Sequence, residues 1–252
     1  LQYLKRNTNI PINLIKLVNK KKIVNQFRLY MYLNRNTDGV FSINDKLIED
    51  ANSLFGYKTN KSFHNNLIKL LDLGWVGKDK NGIYFVRGIQ WLCDYYGFSS
   101  LKRAIFRDQD FAQFRAFIDS AAIGQVCASI KVRAGKMSLA THLSNVDGQR
   151  LSNSYLSKAL NVSMSKAQRM KTLMAKSGYG TKEREFDEMV GITVHDIIKL
   201  LDTGHVKPEF CVKREIRDGK WKSIAYVNRP TRVKSFIPLK RVKKINKNNI
   251  LA

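Results

Sequence analysis

Apolar positions along the chain change period several times, and each change marks an expected element boundary. In IVNQFRLYMYLN, Phe27, Tyr30, Met31 and Asn34 fall at helical spacing with a cationic side opposite. DGVFSI reads as a short extended piece after a turn. SINDKLIEDANSLFG opens with Ser42 followed three places later by Asp45, an N-cap signal, and Gly56 supplies a C-terminal stop. TNKSFHNNLIKLLDLGW predicts a second helix, apolar at Phe63, Leu67, Leu70 and Leu71 and ending near Gly74. WVGKDKNGIYFVRG reads as two strands around Asn81-Gly82, a hairpin pair because both residues accept positive φ. Trp75 and Val76 would start the first of these strands, with Lys78 and Lys80 near its tip.

The next segment, from Gly88 to about Val132, reads as mostly helical after Ser99, whose hydroxyl is placed to cap SLKRAIF. Phe106, Phe111, Phe114, Phe117 and Ile118 form an aromatic-rich seam, to be read as core burial or as a dimerisation helix. RAGKM and NVDGQR look like loops. LSKALNVSMSKAQRM then carries two apolar sets: Leu156, Ala159, Leu160 and Val162 before a bend, and Ala167, Met170, Leu173 and Met174 after it. Two helices meeting steeply across a short turn need a residue that tolerates the left-handed region, and Asn is the best choice that has a side chain. Asn161 fills that role, and Ser163 can cap the following helix. The outward side of that helix, Met164 to Lys176, carries Ser165, Lys166, Gln168, Arg169, Thr172 and Lys176. Its bland alternative is an αα-corner whose polar side meets water. Downstream, EFCVKREIRDGKWKSIAYVNRP alternates and turns at Asp218-Gly219, with Lys213, Arg214, Arg217, Lys220, Lys222 and Arg229 along it. It reads as a wing or a gripping ribbon, or else as an edge protected by Lys. Another helix is expected over Val194 to Leu201.

Together these elements predict a mainly α chain with small β-hairpins (α+β), built as two winged-helix-like units joined by a helical connector. The expected boundaries are a basic N-terminal arm over 1–21, a first unit over 22–92, a connector over 93–135, a second unit over 136–232 and a basic tail over 233–252. Val24 to Arg87 resembles winged-helix domains of bacterial regulators and of phage or plasmid replication proteins. The pattern L-S-K-A-L-N-V-S-x-S-x-A-x-R is similar to the helix-turn-helix of many bacterial DNA-binding proteins, with Asn161 and Ser157 departing from the commonest Gly and Ala. The tandem arrangement resembles initiators of plasmid or phage replication and phage-type regulators, which bind repeated or palindromic sites, often as dimers. That resemblance implies double-stranded DNA as the ligand, read by Ser165 to Thr172 in the major groove: Arg169 toward guanine, Gln168 toward adenine, and Ser165 and Thr172 toward phosphate or a thymine methyl. In the first unit the corresponding residues are Asn60, Lys61, His64, Asn65 and Lys69. That helix is less cationic at its tip, so the first unit or the connector is also a candidate for pairing two copies.

Charge sharpens the expectation. The 252 residues hold 45 Lys and Arg against 20 Asp and Glu, a net charge of +25. Self-repulsion on that scale costs stability, and a polyanionic partner is the usual compensation. Leu1 to Thr37 contains eight Lys or Arg and no acid, and Lys207 to Ala252 contains fourteen against three acids. LKRVKKINKNNILA reads as a gripping arm or a frayed tail. Cys93, Cys127 and Cys211 are too few and too scattered for a disulfide framework and suit a reducing, cytoplasmic setting. No apolar run reaches spanning length, so no membrane is expected, and LQYLKRNTNIPINLIKL lacks a signal-peptide pattern.

The search for catalytic chemistry finds little. His64, His142, His195 and His205 form no close ligand pair, and His195, His205 and Cys211 have poor ligand spacing, so no metal or other cofactor is expected. GYGTKERE lacks phosphate-loop spacing and reads as a helix-ending loop. Glu183, Glu185, Asp187 and Glu188 lie among cations as a solvated face, and Tyr95-Tyr96 has no accompanying histidine pair. The expected function is therefore a non-catalytic, sequence-specific double-stranded DNA-binding protein, acting in replication initiation or transcription regulation. The alternative is a structural or assembly protein of a virion or nucleoprotein particle, with RNA binding a weaker third.

Overall fold

The computed structural model describes residues 7–98, 102–133, 148–184, 186–190, 210–228 and 231–241. Its architecture is mixed α+β: eight helices and four small antiparallel sheets among the described residues.

The first unit begins with helix α2 (Val24–Asn36), if β1 (Thr8–Pro11) and α1 (Ile12–Lys21) are counted ahead of it. Strand β2 (Val40–Phe41), helices α3 (Asp45–Phe55) and α4 (Asn60–Asp72), and strands β3 (Val76–Lys78) and β4 (Tyr84–Val86) follow. The strands pair in the order β2-β4-β3. Helix α2 is buried on nearly every side because Phe27, Tyr30, Trp75 and Phe114 interlock, with edge-on ring pairs 5.4–5.9 Å apart. The N-cap of α3 is Asn44, whose side chain accepts from the Leu47 amide at 2.8 Å. Ser42 was the expected cap, but Asp45 is already the first helical residue, so Ser42 stands too far ahead to reach an unpaired amide. The β3–β4 turn also differs in detail from a two-residue pairing. Only Gly82 takes positive φ, and the Asp79 carboxylate accepts from the amides of Asn81 and Ile83 at 2.9 and 2.8 Å.

After α5 (Ile89–Tyr95) comes strand β5 (Lys102–Phe106), where a capped helix was expected. Ala104 and Phe106 point into the core while Arg103 and Ile105 are half-exposed, a period of two that the helical reading of SLKRAIF overlooked. β5 is the centre of a sheet ordered β1-β5-β12, β12 being Leu239–Arg241. Residues 8–21 are therefore not a free arm: β1 and α1 bury Ile10, Ile12, Leu14, Ile15 and Val18. Residues 233–241 are likewise structured, and 242–252 lie outside the described residues.

A single 3-10 turn, Asp108–Phe111, leads into α6 (Phe114–Arg133). This helix was expected to be a connector, yet it packs on α7 (Asn153–Leu160), α8 (Met164–Lys176) and strand β11 (Arg232–Ser235) and acts as the first helix of the second unit. With β6 (Gln149–Arg150) and β7 (Gly180–Glu183), the second unit repeats the first element for element: helix, strand, helix, helix, strand, strand. The strand order β6-β11-β7 again places the third strand in the centre. Equivalent turns close both helix pairs. Trp75 N bonds the Leu70 carbonyl after Gly74, and Tyr179 N bonds the Met174 carbonyl after Gly178. GYGT thus ends a helix and starts a strand rather than forming a loop alone. A Cβ at Gly180 would stand 2.2 Å from the Lys234 carbonyl, so only glycine lets β7 lie against β11 there.

The second unit carries an insertion between its second and third strands. It holds β8 (Phe186–Val190), β9 (Phe210–Arg217) and β10 (Lys220–Asn228), ordered β8-β10-β9. The helix expected over 194–201 lies outside the described residues. One continuous apolar cluster runs from Ile10 to Leu239 through both units.

Candidate nucleic-acid interface

Helices α7 and α8 meet at Asn161, which takes the left-handed conformation (φ 53°, ψ 55°) expected of it. Ser152 and Ser163 cap the two helices, each accepting from the amide three residues on, at 3.0 and 3.2 Å. The Ser157 hydroxyl donates to the Val162 carbonyl at 2.5 Å and tightens the bend. Leu156, Leu160, Ala167, Met170 and Met174 are buried, so the outer side of α8 is set by what remains.

On that outer side Ser165, Arg169 and Lys176 are exposed and Gln168 and Thr172 half-exposed, all within one face of the helix. Two of these side chains are already engaged: Gln168 accepts from the Asn153 amide at 2.8 Å, and Thr172 accepts from Lys182 at 2.9 Å. Lys166 stands apart from the group. Its ammonium turns inward and donates to the Asn19 carbonyl at the end of α1, 3.1 Å away. Burial lowers its pKa, and the nearby Asp119 carboxylate opposes that shift. Asp119 in turn, buried on α6, is pushed up to about 6 by desolvation, against the pull of Arg115 and Lys166. Lys166 is thus part of a joint between α1, α6 and α8, and not of the outer face.

The first unit presents a matching face. Counted from each helix start, Lys61, His64, Asn65 and Ile68 on α4 occupy the places of Ser165, Gln168, Arg169 and Thr172 on α8. Phe63, Asn66, Leu67 and Leu70 are buried where Ala167, Met170, Lys171 and Met174 are buried. The expected residues Asn60, Lys61, His64, Asn65 and Lys69 are all exposed, though the Asn60 side chain accepts from Asn52 at 2.8 Å. Lys78 and Lys80 are exposed on the β3–β4 hairpin, with the Lys78 ammonium 5.1 Å from the Tyr84 ring centre. On the inserted ribbon Arg217 and Lys220 are exposed and Lys222 half-exposed. Arg217 pairs with Glu215 at 3.4 Å and Lys222 with Asp218 at 2.7 Å.

Comparison with protein-family models, curated proteins and solved structures gave no match.

Sequence reasoning missed three residues beside the α8 face. Met164, Tyr155 and Lys158 are exposed next to the bend. Periodicity marked Met164 only as a helix start and left Tyr155 and Lys158 outside the apolar set without assigning them a face, while Ala159, read with that set, is exposed. It also missed that Lys171 is buried. Its ammonium donates to the Leu151 carbonyl at 2.8 Å, and desolvation lowers its pKa to about 8. Among the described residues no three His, Cys, Asp or Glu side chains are placed to hold a metal ion, and no helix is long and apolar enough to cross a membrane.

Proposed function

We propose that the chain is a sequence-specific, non-catalytic double-stranded DNA-binding protein whose two repeated units are winged-helix domains. The observation that carries the reading is the repeat itself. Both units turn the second helix of their pair outward, with a polar or cationic residue in both helices at three of the four equivalent outer positions and Ile68 in the place of Thr172 at the fourth, on a chain of net charge +25. An α-helix fits the major groove, and Arg169 at the outer side of α8 can make a paired contact to guanine. Lys and Arg on the hairpins supply the phosphate contacts that set affinity. Replication initiation and transcription regulation of the plasmid or phage type both use such a protein, in the cytoplasm where the DNA is. The first unit's weaker charge suits either a second half-site or pairing with another copy.

Selection of bound duplexes from a random pool tests this. The selected site should bind about 10³-fold or more tighter than random duplex, and affinity should fall steeply with salt. Arg169→Ala should remove about 1–3 kcal/mol of discrimination at one base pair. A specificity ratio near one would favour the structural or assembly role, in which the same charge grips nucleic acid without reading it.

A further inference from the structure

The inserted ribbon carries a feature that phosphate contacts do not explain. β9 and β10 pair from Val227↔Phe210 out to Lys220↔Arg217, whereas β8 pairs with β10 only from Ile224 onward. Residues 214–223 therefore project past the third strand as a two-stranded tip. Asp218 and Gly219 both take positive φ (55° and 73°), giving the tight turn that keeps the tip narrow. At the tip Trp221 pairs across the strands with Ile216. They are 71% and 60% exposed, among the most exposed large apolar side chains of the described residues.

Alternation along the strands sorts the tip into two faces. Trp221, Ile216, Ser223 and Arg214 share one, while Lys220, Arg217, Lys222 and Glu215 share the other. On this second face cations outnumber the single acid; Arg217 pairs with Glu215 at 3.4 Å and Lys222 with Asp218 of the turn at 2.7 Å. The first face ends in an unburied indole beside an unburied Ile. A Trp left in water forfeits the largest apolar burial any side chain offers. Packing gives no reason for the indole to be outside.

Resting on the reading of the chain as a duplex binder, we propose that this tip enters a groove of double-stranded DNA and that Trp221, backed by Ile216, wedges against a base step and bends the duplex. A two-stranded ribbon is narrow enough to follow a groove, its cationic face meets the phosphates, and apolar wedges of this kind unstack base steps where proteins bend DNA. The charge of the ribbon selects a polyanion as occupant, and the strongly basic chain behind it does the same. The wedge acts through stacking and shape, so it adds affinity on any duplex and assists sites whose steps deform easily.

The test uses the full chain and a random-sequence duplex of about three helical turns, labelled at both ends for energy transfer and carrying 2-aminopurine at several steps; the readouts are affinity, bend and unstacking. Trp221→Ala should weaken binding about tenfold, the lower part of the range for losing one aromatic stack, and should abolish both the bend and the 2-aminopurine signal. Its salt slope should be unchanged, because no phosphate contact is lost. Trp221→Phe should keep most of the bend, and Ile216→Ala should reduce it. Circular dichroism of each variant checks the fold, which a tip residue should not disturb. If the wild-type chain binds duplex with a steep salt dependence and Trp221→Ala matches it in affinity and bend, the wedge is wrong and the DNA-binding reading survives. No duplex binding by the wild-type chain overturns both. The proposal also fails if Trp221→Ala leaves duplex binding intact but converts a dimer to a monomer, or releases the chain from vesicles containing phosphatidylserine.

Discussion

Replacing Lys171 by Met should stabilise the fold at neutral pH and flatten its dependence on alkaline pH. Lys171 is 1% exposed, and in the repeated unit its place is taken by Leu67, 3% exposed. The second unit thus holds an ammonium in a slot that the first fills with a hydrocarbon. Its ammonium donates to the Leu151 carbonyl, and desolvation lowers its pKa from 10.5 to about 8. Because the folded chain holds this proton less tightly than the unfolded chain, unfolding takes up protons between those two values, and stability must rise with pH across the window. Below about pH 8 the whole penalty is present. Integrating one site with these two values from about pH 7 to about pH 9.5 gives a gain on the order of 2 kcal/mol. The window stops there because burial raises the Tyr30 and Tyr179 phenols, which destabilise the fold once unfolded tyrosine begins to ionise near 10. At neutral pH the full shift from 10.5 to about 8 is a penalty of about 3 kcal/mol. Met removes it but leaves the Leu151 carbonyl without this donor, at a cost of about 1–2 kcal/mol, so a net gain of about 1–2 kcal/mol remains. Urea unfolding of both proteins at several pH values reads the two numbers directly. Equal slopes in the wild type and the variant would refute the argument, as would a variant less stable than the wild type at neutral pH.

Two further substitutions test the joint around α8. Asn161 has φ 53°, so Asn161→Gly should leave the melting temperature within a degree or two of wild type or raise it, whereas Asn161→Ala should cost about 1 kcal/mol; a silent Ala variant would remove the left-handed bend as the cause of the turn. Asp119 has a folded pKa raised from 3.8 to about 6, so its contribution is fully present below about pH 4 and lost as pH rises through 6. Asp119→Asn should therefore gain stability relative to wild type between those values, read by urea titration, and a constant difference across that range would contradict the buried-carboxylate account.

Local chemistry was the part of the fold most readable in the residues. The bend at Asn161, the stop at Gly56 and the turn at Asp218-Gly219 depend on residues that accept positive φ, one each at the first two and both at the third, and each stands where its sequence placed it. Elements made by distant partners were harder to see. β5 is a strand because β1 and β12 flank it, and those partners lie far off in sequence: Ala104 pairs with Ile10 on one side and Leu239 on the other. Its five residues carry one short alternation that helical formers on both sides conceal. The role of α6 was hidden for a similar reason. A helix buried on most sides has no polar stripe to show which unit it serves, and only its contacts with α7, α8 and β11 assign it. On the candidate face, exposure of Ser165, Arg169 and Lys176 followed from the 3.6-residue period. The inward turn of Lys166 did not, because it depends on the Asn19 carbonyl at the end of α1, a helix that lies ahead of the first unit and 147 residues away in sequence.

That contact bears on how the two units would meet one ligand. A connector between independent domains would let each find its own half-site, with the distance between sites set by linker length. Here the apolar cluster is continuous from Ile10 to Leu239, α1 and α2 both lie against α6, and Tyr179 donates to Asp110 across the same seam at 2.8 Å. The sheet β1-β5-β12 ties the segment before the first unit, the segment between the units and the segment after the second into one structure. Separating the units would expose apolar surface along that seam and leave Asp119 and Lys166 to be resolvated, so their relative placement is part of the folding equilibrium and not a property of a tether. A duplex contacted by both α4 and α8 would therefore have to present its contact points at a separation dictated by the protein. Any flexibility in site spacing would then come from bending of the DNA.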